Sequence, residues 1–247
     1  MPAALAARGA GQAPAARTAG RVLSPCYTPF VRPAPLPTGG VKSWRSHRVY
    51  TDVARIISTI FNPFLTAIAL LAILAHAVAA TTYDFWFYCG FAGFFTTFGP
   101  MAYVFSLYQA GKIDDLDMSD REQRAGVFGA FVIFYLVGAI AMALLRVPSL
   151  LVAMMFGYGV SSALVLAITR SWKISTHALG ISAPVVALLL LYGSEPLPLI
   201  ALIPVVGWSR WYLRAHTVGQ IVAGALLGAV TTAIFFHLFN IQPIAQP

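Results

Sequence analysis

The pattern of apolar and polar positions changes abruptly near residue 56 and stays mainly apolar to the end of the chain. A helix that crosses a bilayer needs about 20 mainly apolar residues. Because unsatisfied backbone groups are costly in hydrocarbon, such stretches are expected to be helices rather than an open sheet. The pattern predicts six of them, at about 56–79, 84–108, 125–145, 148–169, 177–193 and 217–239.

A seventh apolar stretch, at about 197–213, is shorter and is interrupted by Pro198 and Pro204. We expect it to be kinked, tilted or incompletely spanning, because proline removes a helical hydrogen bond. The expected fold is therefore an all-α integral membrane protein. Residues 53–247 would form a bundle of six to seven transmembrane helices.

Residues 1–52 form a different kind of segment, a basic arm rich in Ala, Pro and Arg. No apolar periodicity survives there, which predicts a disordered or loosely attached arm. An Arg-rich, acid-poor N-terminus is also typical of an organellar transit peptide. A bacterial N-terminal extension would have the same composition, and both interpretations stay open.

The overall composition excludes an ordinary soluble enzyme: only 10% of residues are charged and 59% are hydrophobic, against about 25% charged in soluble domains. The net charge of +8 could suggest nucleic-acid binding, but its distribution argues against that. Residues 1–51 hold seven basic and no acidic residues, whereas 52–247 hold nine basic and eight acidic ones. The positive charge thus belongs to the arm, and no nucleic-acid partner is expected.

The distribution of Lys and Arg also predicts an orientation in the membrane. If all seven stretches cross, 15 of the 16 Lys and Arg residues lie on the side of the arm, and only Arg146 lies opposite. The positive-inside rule then places the N-terminus and the loops at 109–124, 170–176 and 208–216 in the cytoplasm. The membrane would be a bacterial inner membrane or an organelle membrane with the equivalent sidedness.

Three polar clusters fall on that same side, at 112–124, 170–177 and 209–220. Ionisable residues close to the membrane are functional candidates by default. Trp172, Trp208 and Trp211 lie at the same edge and are typical of an aromatic interfacial belt. Since the predicted topology brings three distant clusters to one face, we expect a single site there.

The third cluster carries a histidine with a potential orienting partner. His216 and Gln220 are four residues apart, so they would be neighbours on one helical face. The amide oxygen could accept the imidazole N–H and leave the other ring nitrogen able to react. Arg210 could hold an oxyanion with its guanidinium fork. Gly224 and Gly228 have the spacing that lets membrane helices approach closely.

The second cluster places Ser175, Thr176 and His177 at a predicted helix N-terminus. Such a position is a natural phosphate site, although the same residues also fit an N-cap with an interfacial histidine. Two histidines with nearby cations suit phosphoryl transfer without a metal. One histidine attacks phosphorus, the other protonates the leaving oxygen, and the cations stabilise the transferred group.

The spacing of the third cluster resembles the third signature of the type-2 phosphatidic acid phosphatase (PAP2) superfamily, SRxxxxxHxxxD followed by glycines. The second cluster is similar to a degenerate form of that family's PSGH signature, and the resemblance spans about residues 105–230. The family's first signature, KxxxxxxRP, does not occur as such. The residues that carry the resemblance are Ser209, Arg210, His216, Gln220, Gly224 and Gly228, together with Ile174, Ser175, Thr176 and His177.

The resemblance implies a lipid phosphatase that acts on phosphatidate or a prenyl diphosphate, with no metal and no cofactor. His216 would be the nucleophile that forms a phosphohistidine, oriented by Gln220, and His177 would protonate the leaving alcohol. The phosphate-binding residues would be Arg210, Ser175 and Thr176, with Lys112, Arg121 and Arg124 as candidates by position only.

Two departures from the family pattern bear on activity. Gln220 stands where the family usually has Asp, and a neutral amide cannot stabilise a charged imidazole, so we expect His216 to be less basic. Thr176 replaces a glycine and would crowd the phosphate site. The chain is then either an active, divergent member or one that has lost hydrolysis.

Two other functions fit parts of the sequence. Asp114, Asp115, Asp117 and Asp120 could bind Mg²⁺ and a prenyl diphosphate, as in a membrane prenyltransferase. That family usually has two such loops, and these acids are interleaved with basic residues. The chain could also be a non-catalytic membrane subunit or scaffold, with a membrane-protein partner or a second copy of itself.

Overall fold

The computed structural model describes residues 41–114 and 121–244, and every regular element in these two ranges is helical. The predicted arm lies outside them up to residue 40, and its last residues already belong to the first helix. The helices are α1 (Val41–Ile60), α2 (Pro63–Val78), α3 (Thr82–Gly93), α4 (Gly99–Gln109), α5 (Arg121–Leu144), α6 (Ser149–Thr169), α7 (Thr176–Tyr192), α8 (Leu202–Tyr212) and α9 (Val218–Leu238). A π turn (Phe94–Phe98) joins α3 to α4, and a 3₁₀ turn (Leu197–Ala201) precedes α8.

Three helices of the described part are long and apolar enough to cross a membrane: Gln123–Leu144, Ser149–Thr169 and Val218–Leu238. A fourth crossing results if Arg48–Ile60 and Pro63–Val78, which meet at 46°, are taken together. Helix α7 is apolar but shorter. The described part of the chain is thus all-helical with three to four candidate membrane spans, as in a membrane protein, and the bundle of six to seven spans stays a prediction.

The stretch predicted as one helix at 56–79 is broken in the structure, at Asn62. The residue before a proline is driven to extended backbone, and Asn62, which precedes Pro63, has φ −64° and ψ 138°. Its side chain accepts the Phe64 N–H at 2.9 Å and so caps α2. The single helix predicted here was wrong for a local reason that the sequence already contained.

The stretch predicted at 84–108 is helical throughout, although its middle is a π turn. A capping box starts it: the Thr81 hydroxyl accepts the Asp84 N–H at 3.1 Å, and the Asp84 carboxylate accepts the Thr81 N–H at 3.0 Å. The π turn lies just before Pro100, whose missing N–H interrupts the α-helical ladder. At 197–213 the expected interruption takes the form of the 3₁₀ turn followed by α8.

Helices α7 and α9 approach each other at the two glycines that predicted a close contact. A Cβ at Gly224 would lie 2.2 Å from the carbonyl oxygen of Ser175. One at Gly228 would lie 2.4 Å from the Ser182 hydroxyl. That hydroxyl donates across the interface to the Ala225 carbonyl at 2.8 Å. The predicted close helix contact is confirmed, and it holds the N-terminal end of α7 against the first turns of α9.

Candidate active site

The ends of α5, α7, α8 and α9 meet on one side of the bundle and bring two histidines together. His177 and His216 are both 7% exposed. His216 acts on His177 electrostatically, and both histidines lie within the fields of Arg210 and Arg124. The convergence of the second and third clusters, expected from topology alone, is therefore present in the structure.

The C-terminal end of α8 explains why His216 follows Arg210 at that spacing. Arg214 adopts the left-handed conformation with φ 53°, so the chain reverses direction there. The Ala215 and His216 N–H groups then both donate to the Arg210 carbonyl, at 3.0 and 3.4 Å. The Arg214 N–H donates to Trp211 at 2.9 Å, which completes a Schellman ending. This turn brings the His216 backbone to the last turn of α8, beside Arg210.

Gln220 orients the imidazole of His216, as predicted, although by a different geometry. Its Oε1 lies 3.2 Å from His216 Nδ1 and accepts the Thr217 N–H at 3.1 Å. However, His216 precedes the N-cap Thr217, so the two residues do not share a helical face. The contact forms because Gln220 is the N3 residue of a capping box that begins at Thr217, and its side chain turns back toward the N-terminus of α9.

This contact also determines which ring nitrogen of His216 can react. A backbone N–H can only donate, so the atom of Gln220 that meets Thr217 is the amide oxygen, an acceptor. His216 Nδ1 must then be the donor of its own bond to that oxygen, and the proton of the neutral ring lies there. The lone pair is consequently on Nε2, which is the arrangement that a nucleophilic histidine needs.

The environment of His216 keeps its imidazole neutral. Burial, followed by the positive charges of Arg210 and Lys173, lowers the pKa of His216 from its ordinary 6.5 to about 3. The hydrogen bond to Gln220 acts in the opposite direction. The low basicity expected from the sequence is present, but its largest cause is burial rather than the amide at position 220.

Ser58, on α1, links the two histidine-bearing segments and was missed by the sequence analysis. Its hydroxyl accepts a hydrogen bond from Arg210 Nη1, and its backbone carbonyl interacts favourably with the protonated form of the His177 imidazole. The residue is 8% exposed. The sequence around Ser58 contains no signal for these contacts, because Ser58 is one of several polar residues in α1 and its partners come from α7 and α8.

The three basic residues predicted by position only have different locations. Arg124 is buried, donates to the Ile174 carbonyl at 2.9 Å through Nη2, and lies over the Phe128 ring at 5.4 Å. It therefore supports the segment that leads into α7. Lys112 is exposed and is not among the charges that act on either histidine. Arg121 begins α5, and its side chain lies outside the described residues.

Lys173 is a second residue that the site prediction omitted. It acts on His216 electrostatically, more strongly than Arg124 does. The sequence signal was present, since Lys173 belongs to the second polar cluster. Nothing in the spacing distinguished it from Lys112.

Ser175 caps α7 in the structure. Its hydroxyl accepts the Ala178 N–H at 3.4 Å, its N–H donates to the Gln220 carbonyl at 3.1 Å, and it has no exposed surface. The geometry thus favours the N-cap interpretation over a phosphate ligand. Gln220 holds the start of α7 through its backbone and His216 through its side chain.

An apolar cavity of about 90 Å³ begins at Thr176, the first residue of α7, and extends between α2, α5 and α6. Its walls are mainly aromatic and aliphatic, with hydroxyl groups in the α6 wall. The lining includes Phe64, Phe128, Phe131, Tyr135, Tyr158, Ser161, Ser162, Val165 and Leu179. Thr176 therefore faces apolar space next to the histidines.

The acidic loop is described only at its first residue. The Asp114 N–H donates to Gln123 Oε1 at 3.0 Å, and the Asp114 carboxylate accepts from Gln123 Nε2 at 2.8 Å. Asp115, Asp117 and Asp120 lie outside the described residues. In the ranges 41–114 and 121–244, no group of three or more His, Cys, Asp or Glu residues could hold a metal ion.

No family model, no curated protein and no solved structure matches this chain.

Proposed function

We propose that the protein is a membrane phosphatase that hydrolyses a lipid phosphate or diphosphate through a phosphohistidine on His216. The observation that carries the proposal is the meeting of His177, His216 and Arg210 at the ends of helices from distant parts of the chain. Each of these side chains suits one part of phosphoryl transfer: His216 as the nucleophile, His177 as the proton donor and Arg210 as the phosphate ligand. The likeness of the third cluster to the PAP2 signature supports the same assignment.

In the first half of the proposed reaction, the Nε2 lone pair of His216 attacks phosphorus and a P–N bond forms. The P–O bond to the leaving group breaks, and the leaving oxygen, of the lipid alcohol or, for a diphosphate, of the lipid monophosphate, takes a proton from His177. The charge of a bound phosphate favours the protonated form of His177 before this step. Arg210, Arg124 and Lys173 supply positive charge where the equatorial oxygens gather negative charge.

In the second half, water attacks the phosphohistidine and gives its proton to His177, now the base. The P–N bond breaks, its electron pair returns to Nε2, and inorganic phosphate leaves. While Nε2 is phosphorylated, the ring of His216 is cationic and its Nδ1–H donates to Gln220. A neutral amide stabilises that cation less than a carboxylate would, so we expect a slower enzyme than one with Asp at this position.

Two features favour a lipid substrate over a soluble one. The apolar cavity of about 90 Å³ has Thr176, the residue before His177, in its lining, so apolar space for part of a hydrocarbon chain lies close to the helix ends. Trp172 and Trp211 are 42% and 54% exposed near the same ends, as in an interfacial aromatic belt. The site would then lie at the membrane surface, on the cytoplasmic side by the positive-inside rule.

The test is release of phosphate by the purified protein in lipid nanodiscs, with phosphatidate or a prenyl diphosphate as substrate and EDTA present. We expect turnover, an acid-labile phosphoenzyme, and loss of both in His216→Ala. His237→Ala is the matched control, because His237 is an exposed histidine in the last turn of α9. Turnover that persists in His216→Ala would remove the proposed nucleophile.

The same assay separates the other two hypotheses. Strict dependence on Mg²⁺, with a prenylated product and released diphosphate, would favour the prenyltransferase that uses the loop Asp114–Asp120. No turnover on any lipid phosphate, together with a membrane protein that stays bound through purification, would favour the non-catalytic subunit.

A further inference from the structure

Helix α1 packs against the bundle with only one of its faces. Ala54 and Ser58 are buried there, and the Tyr50 ring lies 6.4 Å from the Tyr212 ring of α8. No described element of the protein covers the remaining surface of this helix.

An apolar stripe runs along the uncovered surface of α1. It consists of Val49, Val53, Ile56 and Ile60, which follow each other at intervals of four, three and four residues. That spacing keeps them on one side of the helix. The four side chains are between 40% and 58% exposed, so the stripe is available to an apolar surrounding.

A cationic face lies between the stripe and the buried face of the helix. Arg48 and Arg55 are exposed and lie two turns apart. Asp52 and Thr59 occupy the same polar side, also exposed. A helix with an apolar stripe beside a basic face is typical of a segment that lies in the plane of a bilayer interface, with its cations on anionic headgroups. The 46° angle between α1 and α2 is consistent with this change of direction.

We propose that α1 lies in the bilayer interface and binds anionic headgroups, and that this docking positions Arg210 and His177 through Ser58. The occupant of the exposed stripe is thus the lipid surface of an anionic membrane. Ser58 faces the site on the opposite side of the same helix, where its hydroxyl accepts from Arg210 and its backbone carbonyl acts on His177. Any displacement of α1 moves both contacts. The positioning of Arg210 and His177 for catalysis, unlike the docking of α1, rests on the proposed function.

The alternative is that α1 continues α2 across the bilayer. The depth of a spin label attached to α1 distinguishes this alternative from an interfacial helix. Single cysteines replace Val49 or Ile60 in a full-length chain with Cys26→Ser and Cys89→Ser, and a nitroxide reports depth in nanodiscs. The two positions are about 16 Å apart along the helix axis. An interfacial α1 gives equal, shallow depths. A depth difference approaching 16 Å would overturn the docking. Thr59→Cys, on the polar side, is the matched control and should stay accessible to water.

The coupling to the site is tested by lipid charge. With Arg48→Glu and Arg55→Glu together, we expect phosphate release in phosphatidylglycerol nanodiscs to fall about tenfold, to the level seen in phosphatidylcholine. Arg146→Glu, an exposed charge reversal between α5 and α6, should not change it. Equal release by the double variant and the native chain in both bilayers would overturn the coupling.

A readout without turnover keeps the two proposals separate. The guanidinium nitrogen shifts of Arg210 should differ between the two bilayers in the native chain and should not differ in Ser58→Ala, which removes the hydroxyl that accepts from Arg210. The imidazole nitrogen shifts of His177 should differ in both proteins, because the substitution keeps the backbone carbonyl. If no bilayer supports phosphate release, the proposed function fails, while label depth and these shifts still decide the inference. Shifts that are independent of lipid charge would overturn it.

Discussion

Substitution of Gly224 by alanine tests the packing that brings the two histidines together. The added Cβ would lie 2.2 Å from the Ser175 carbonyl oxygen, which is backbone and cannot rotate away. An ordinary contact begins near 3.4 Å, so α7 and α9 have to separate by about 1 Å. Overpacking of this kind costs about 1–3 kcal/mol, and a displacement of about 1 Å at a reacting centre can lower a rate by about 10².

The assay for this variant has two independent readouts. The thermal unfolding midpoint in detergent reports the strain, and phosphate release in nanodiscs reports the separation of His177 from His216. We expect the midpoint to fall by several degrees and the rate by about 10². Gly219→Ala is the matched control on the same helix, because the nearest atom to its Cβ would be 3.8 Å away, on Trp172.

The control should behave as the native chain in both readouts. If Gly224→Ala matches Gly219→Ala in midpoint and rate, the close contact of α7 and α9 is not what holds the site together. A lower midpoint with an unchanged rate would show that α7 and α9 separate without moving the histidines, and would also refute the reasoning.

Three further predictions concern the same turn and helix. Gln220→Glu should raise the pKa of His216 by about 1–3 units through the added negative charge, seen by NMR titration, and should increase phosphate release; an unchanged titration would contradict the assigned contact. Because the folded pKa of His216 is about 3 and the ordinary value is 6.5, the unfolded chain binds the proton first, so stability should fall as pH drops from about 6.5 to 3, by up to about 1.4 kcal/mol per pH unit for this group. In His216→Gln that part of the pH dependence should vanish, and a slope equal to the native one would disprove it. Arg214→Gly should raise the unfolding free energy by about 1 kcal/mol, because φ 53° strains a side-chain-bearing residue; a loss of stability in denaturant unfolding would show that the arginine side chain has a role of its own.

Much of the fold was predictable because its signals are local. Apolar stretches of helical length, the Asn62–Pro63 break and the glycine pair at positions 224 and 228 are read from neighbouring residues. The break was nevertheless predicted as continuous helix, since apolar length was given more weight than the restriction that Pro63 imposes on the preceding residue. The number of spans stays a prediction for a different reason. Length and composition describe single helices, whereas the number that cross the membrane depends on how the helices are arranged.

The site was predictable only where neighbours in sequence are also partners. The pairing of His216 with Gln220 follows from four-residue spacing, although a capping box rather than a helical face creates it. Ser175 was ambiguous between cap and ligand because both functions use the same residue at the same position. Its complete burial against α9 decides for the cap.

By itself, the sequence determined a helical membrane protein, three polar clusters on one predicted face, and the pair of histidines as the candidates for chemistry. Only the tertiary structure decided that Ser58 joins Arg210 to His177, that Lys173 rather than Lys112 acts on His216, and that burial sets the basicity of His216. The physical reason is distance along the chain. Helix periodicity and capping depend on residues within one or two turns, whereas desolvation and charge depend on which distant helix ends pack against each other.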